Sequence, residues 1–266
     1  MVFEEILKAE WMHKNLLGIY GLALLYSAVA VMCAAIVFPN NIDLISVAFI
    51  GIIFLPSLEQ ILSFEARTAF KHRAIKIREI LMQHASIFWI YLAIMLGIFS
   101  VFLVISLLLP TTVTLGLFKS QLAIYGNAGT GTLDFNSIAQ NNLKVIFVTF
   151  FLSMVYGAGS ILMIGWNASV WGAIIGFFIK EGIEKGGNPL YYLTNVLMPM
   201  LPHLIFESGG YLLGAIGGGL LAISVVNEKI MSKRFKWMLT DSLAIFTLGI
   251  VLIIFAAWIE VTMPIG

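Results

Sequence analysis

The residues with the clearest chemical potential lie in one apolar stretch, Pro202-His203-Leu204-Ile205-Phe206-Glu207, followed by Ser208, Gly209 and Gly210. A histidine and a glutamate four residues apart share one face of a helix, where they can pair, pass a proton or offer two ligands to a metal. In a helix starting near Pro202, residues Gly210, Gly214 and Gly218 continue that stripe, so a polar head leads into a groove without side chains. Ionisable groups in hydrocarbon are expensive, and such a stripe must face protein or water. Three asparagines share the setting: Asn141 and Asn142 open one apolar run, and Asn167 lies at another.

Two ligands do not make a catalytic metal site, and no second His-rich or Asp-rich motif lies on another apolar run. His13, His72 and His84 fall in or beside basic segments. The chain also lacks a serine nucleophile elbow and a paired-carboxylate motif in its apolar runs. No catalytic, metal-binding or cofactor-binding residue is therefore assigned, no cofactor is expected, and an intramembrane metal-dependent activity is the least supported reading.

These residues must be positioned by membrane helices. Of the 266 residues, 60% are hydrophobic and 11% charged, and the mean hydropathy is +0.99. That describes an all-α polytopic membrane protein, read as a single integral membrane domain over 1–266. A net charge of +1 offers no case for nucleic acid, and the single Cys33 excludes an intrachain disulfide. The lipid bilayer is the first expected partner. Apolar runs place spans near residues 16–38, 44–63, 85–109, 143–163, 166–181, 203–225 and 239–259. Pro56 and Glu59 mark the second span and the fifth is short, so either can be tilted or re-entrant.

Basic residues set the orientation. Lys8 and Lys14, then Arg67, Lys71, Arg73, Lys76 and Arg78, then Lys229, Lys233, Arg234 and Lys236 account for eleven of the fifteen Lys and Arg residues. Cytoplasmic loops carry such an excess, and two then four crossings between the clusters keep all three on one side. The N-terminus is expected inside and the C-terminus outside. Acidic residues Glu4, Glu5 and Glu10 argue against a cleaved leader. The Glu4–Lys8 and Glu10–Lys14 spacings, with Phe3, Leu7 and Trp11 on one face, suit a short interfacial helix and equally a solvated helical lead-in.

Residues 59–82 carry Ala66, Phe70, Ala74, Ile77 and Leu81 on one stripe with basic residues elsewhere, a basic amphipathic helix that either binds anionic headgroups or, as the plainer reading, is a topology signal extending span two or three. Residues 110–142 read as an outer surface loop holding a short amphipathic piece, Phe118 to Tyr125, and a flexible turn over 126–131. By this topology Asn142, His203 and Glu207 share the outer leaflet, while Asn167 lies about 20 to 30 Å away near the inner end of the fifth span. The polar groups are expected to find one another as partners.

Glycine then dominates. Gly157 and Gly159 close the fourth run, Ala168, Gly172 and Gly176 repeat a small residue every four positions, and Gly210, Gly214 and Gly218 do so again. In lipid this spacing lets helix backbones approach closely. The order Asn141-Asn142, Gly157-Ala158-Gly159, Trp166-Asn167-Ala168 with Gly172, and Pro202-His203 with Glu207 and the trailing glycines resembles the stage II sporulation protein M family of integral membrane proteins, over residues 140–225. The family pattern often has glycine where this chain has Ala168 and Leu204. The resemblance implies a noncatalytic component: the namesake holds lytic enzymes in a peptidoglycan-remodelling complex during engulfment, and relatives occur in organisms without spores.

Two functions follow. The first is a scaffold or assembly subunit of a membrane complex, in which Asn141, Asn142, Asn167, His203 and Glu207 lock helices. Its expected partners are other membrane or envelope proteins and a second copy in a homo-oligomer. The alternative is a transporter or channel for an ion or small solute, with the His203–Glu207 pair as its site and with Pro199 and Pro202 splitting residues 190–225 into two half-helices.

Overall fold

The computed structural model describes residue 11 and residues 14–68, 76–128 and 134–262. Glu4, Lys8 and Glu10 of the N-terminal pairs, the stripe residues Phe70 and Ala74, and the turn residues 129–131 lie outside them. Among the described residues every regular element is helical, as lipid demands of a chain that must satisfy its backbone within each crossing. The elements are α1 (Leu16–Val37), α2 (Ile42–Thr68), α3 (Ile77–Gln83), α4 (Ala85–Leu108), α5 (Thr111–Leu117), α6 (Lys119–Ala128), α7 (Phe135–Tyr156), α8 (Ile161–Glu184), α9 (Pro189–Tyr192), a π-helical turn (Leu193–Leu197), α10 (Met198–Asn227) and α11 (Lys233–Thr262). Seven of them, α1, α2, α4, α7, α8, α10 and α11, are long and apolar enough to cross a membrane.

The fourth and fifth crossings lie elsewhere than the apolar runs suggest. Asp134 caps α7 by accepting the Ser137 N–H at 2.9 Å, so the helix begins eight residues before the run at 143, and its first turns carry Asn141, Asn142 and Lys144. Ser137 also holds the Asp134 carboxyl below the usual carboxylate range, through its hydroxyl first and its N–H second. At the other end Gly157 takes φ +62°, a left-handed conformation that stops α7 seven residues short of the expected 163. Helix α8 starts after this turn and extends through Glu184, which gives it a full crossing length.

The segment between α4 and α7 is not an ordinary surface loop. Helices α5 and α6 form a hairpin folded back on the bundle, with the Phe118 ring buried 5.0 Å from that of Phe102. Phe102 lies six residues, about 9 Å, below the end of α4, so the hairpin dips into the outer layer. Buried Gln121 fastens it, donating to the Asp43 carbonyl (3.2 Å) and the Ser169 hydroxyl (3.3 Å). The Asp43 carboxylate accepts the Ser120 N–H at 2.8 Å. Glu184 at the end of α8 caps α5 by accepting the N–H and the hydroxyl of Thr111.

Two bundles share the core. In one, α1 packs on α2 and α4 through side chains such as Tyr26 and Phe54, whose rings meet edge-on at 5.5 Å. In the other, α10 packs on α7 and α11. Contacts step 146 to 214 and 150 to 218 between α7 and α10, so those two run parallel. They step 210 to 253 and 217 to 242 between α10 and α11, which are antiparallel. Helix α8 lies along α4 and joins the halves.

Candidate functional site

Helix α10 carries the polar stripe and begins at Met198 rather than near Pro202. The π-turn feeds directly into it, Pro199 sits in the first turn, and Pro202 is absorbed inside the helix. Pro199 forfeits little, because the N–H groups of a first turn have no intrahelical acceptor, whereas Pro202 gives up one bond, to the Met198 carbonyl, and the helix runs on through it. The two prolines therefore do not split the stretch into half-helices within the membrane.

Glu207 is 8% exposed, and its partner is Tyr211 one turn on, whose hydroxyl donates to the carboxylate at 2.6 Å. Tyr211 is 1% exposed and lies 6.5 Å from the Trp171 ring of α8 at an interplanar angle of 19°. His203 is buried too, yet among the described residues it makes neither a hydrogen bond nor an ion pair with Glu207. Asn141 donates to its neighbour Asn142 at 3.3 Å. The Asn167 amide donates to the Met163 carbonyl of its own helix at 2.8 Å. The five sequence-derived polar residues thus find partners within their own helices where they find them at all.

Depth follows from register. Ile146 of α7 lies against Gly214, which places Asn142 level with Gly210, within one turn of Glu207. Trp171 lies level with Tyr211, so Asn167 sits only about 12 Å deeper than Glu207 instead of a full span away. Asn142 and Glu207 therefore share one outer layer, as expected. A further acid joins them, since Glu260 near the end of α11 is within electrostatic range of Glu207 and Tyr211. Phe206 and Phe255 close one flank with ring centroids 4.7 Å apart.

Cross-helix adhesion comes from backbone contact. A methyl group on Gly218 would fall on the Phe150 carbonyl, one on Gly214 would come within 2.8 Å of Ile146 Cγ1, and one on Gly210 within 2.9 Å of the Gly249 carbonyl. Gly172 and Gly176 do the same for α8, lying against the Phe99 and Leu103 carbonyls of α4. Ser242 adds a direct bond, donating to the Gly217 carbonyl at 2.6 Å. Gly157 and Gly159 sit elsewhere, in the turn between α7 and α8, where Ser153 donates to Ser160 at 2.7 Å.

This glycine-packed set, α7 to α11, is also where likeness to known proteins lies. The family model described as Stage II sporulation protein M matches residues 118–263. The chain belongs to the stage II sporulation protein M family. The match extends the motif region of 140–225 in both directions, to take in α6 and all of α11. An uncharacterized protein of Methanocaldococcus jannaschii is 32% identical over 132 residues, which cover 48% of this chain and 69% of that protein. No solved structure matches.

Several residues of interest escape a linear reading. Tyr211 was available as the i+4 neighbour of Glu207, a spacing that puts both on one face. Glu260 required the antiparallel register of α10 and α11. Buried Asp241 on α11 meets His84 at the start of α4, Nε2 to Oδ2 3.9 Å, across more than 150 residues of sequence. Asp43 carried one local signal, an acid in the first turn of a helix, which gave no hint of its bond to the hairpin.

Proposed function

We propose that this chain is a noncatalytic membrane scaffold, an assembly subunit of a multi-protein membrane complex, with its N-terminus cytoplasmic and its C-terminus outside. The observation that carries the reading is the α7–α10–α11 core, in which backbones touch at Gly210 and Gly218. Helices packed at this distance have no side-chain layer to rearrange, which suits a platform better than a moving gate. The buried Glu207 supports the same reading, because its carboxylate is engaged by the Tyr211 hydroxyl. Membrane or envelope proteins are its expected partners, as the namesake of the family suggests, and a second copy is another. The basic clusters around Lys76 and Lys233 support the orientation.

A second reading, handling of an ion or small solute, draws on one observation: Glu207 and Glu260 bring two acids into the same outer layer beside His203. Proteoliposomes holding the purified chain and a trapped pH dye separate the two. A scaffold leaves proton, sodium and potassium flux equal to that of empty liposomes. Flux that Glu207→Gln abolishes without lowering the melting temperature overturns the scaffold reading.

A further inference from the structure

The inner end of the bundle is marked by three features at one depth: the α7–α8 turn, the exposed charge of Glu59 beside Gly157, and Gly219, whose Cβ position lies 3.6 Å from the Gly157 carbonyl. An exposed charge and a reversal of the chain both belong outside hydrocarbon. Helix α10 nevertheless continues eight residues past Gly219 to Asn227, and α11 begins eight residues before Asp241, so the hairpin between them projects about 12 Å further. The headgroup layer on each side is only about 5 to 8 Å deep.

The projecting tip is apolar. Val226, Ile230 and Met231 are 80%, 67% and 71% exposed. Met231 also holds φ +70°, a left-handed backbone that a side-chain-bearing residue adopts at a cost. The conformation presents it at the turn beside Ile230. Exposed Lys229, Lys233 and Lys236 rim these side chains, while the fourth cation, Arg234, is engaged by Glu228 at 3.0 Å. Lipid explains apolar exposure along the spans, but it does not reach a tip that stands beyond the headgroups. An apolar patch with a rim of one charge sign in water is a protein-docking surface.

We propose that the α10–α11 tip docks an acidic amphipathic helix of a partner protein, its apolar face on Val226, Ile230 and Met231 and its carboxylates on the three lysines. This deepens the scaffold reading by naming the surface and chemistry of an assembly contact. Its test reads the tip whereas the flux test reads the core, so either can fail alone.

The test uses the full chain in phosphatidylcholine nanodiscs and a fluorescein-labelled 18-residue peptide of leucine and glutamate patterned as an amphipathic helix. Anisotropy should show saturable binding. It should weaken at least tenfold in the Ile230→Ser/Met231→Ser variant and in the Lys229→Gln/Lys233→Gln/Lys236→Gln variant, with melting temperatures unchanged. A leucine–lysine peptide and a glutamate–serine peptide should not bind. Equal binding by either control, or binding that neither variant weakens, overturns the proposal. So does quenching by brominated lipid of a fluorophore at position 231 (Met231→Cys in a Cys33→Ser background), which makes the bilayer the occupant. Binding that emerges only when residues 2–10 are deleted overturns it in favour of the chain's own acidic N-terminal segment.

Discussion

The α1–α2 pair and the α10 core solve the same problem in lipid by different means. Between α1 and α2, large side chains interlock, as Tyr26 and Phe54 do, and Gly21 of α1 has nothing among the described residues within 4 Å of its Cβ position. Around α10 the side chains are removed, and carbonyls of one helix lie against glycines of the next. Lipid tails are as apolar as leucine, so helices gain little by hiding side chains from them and hold together by close contact. The lesson is that glycine content alone does not mark a packing face. A glycine that meets a neighbouring backbone carries the fold, and one that meets open space does not.

The sharpest way to break this comparison is Gly218→Leu. The new side chain would occupy the position of the Phe150 carbonyl, and the expected loss is about 3 kcal/mol or failure to assemble. Thermal melting of the full chain in detergent measures it, and an unchanged midpoint removes the close-packing account. Next in size is Glu207→Ala, which strands the buried Tyr211 hydroxyl at a cost of about 1 to 3 kcal/mol. Glu207→Gln keeps an acceptor for that hydroxyl and should melt closer to the parent. Gln121→Leu should cost about 1 kcal/mol by removing the two bonds that fasten the hairpin to Asp43 and Ser169, and protease cleavage between α4 and α7 should accelerate with it.

Smaller effects sharpen the contrast. Gly21→Ala should stabilise the chain by about 0.5 to 1 kcal/mol, since the methyl enters open space and the helix gains propensity. The Asp134 cap gives a pH signature outside the membrane. Its carboxyl is held low in the fold by Ser137, so the cap contributes fully above the unfolded value of about 3.9 and is lost as pH falls through the lower folded value. Hydrogen-exchange protection at the first turn of α7, corrected for the intrinsic pH dependence of amide exchange, should fall as pH drops through that interval and stay flat above it.

Much of this architecture was legible in the sequence. Seven apolar runs gave seven helices of crossing length, because run length and hydropathy are local properties. The glycine spacing at Gly210, Gly214 and Gly218 pointed to close approach, and the same motifs pointed to the family. What escaped depended on position in three dimensions. The α7 boundaries were missed because hydropathy undervalues a polar first turn held by Asp134. The amphipathic piece from Phe118 to Tyr125 foreshadowed α6, but the docking of the α5–α6 hairpin was missed because Phe118 and Gln121 are ordinary residues until a bundle buries them. The expectation that Asn142, Asn167, His203 and Glu207 would pair with one another assumed that each helix must look outward for partners. Asn167 and Glu207 instead bond one turn away on their own helices, a cheaper solution in chain entropy.

The central claim is that Glu207 is sealed in a static, backbone-packed core. Labelling of the chain in liposomes with a water-soluble carbodiimide admitted to both sides of the membrane, read by mass spectrometry, tests it against an internal standard. The account predicts modification of exposed Glu59 with Glu207 left intact. Modification of Glu207 at the rate of Glu59 would mean that water reaches the site, and would contradict the account.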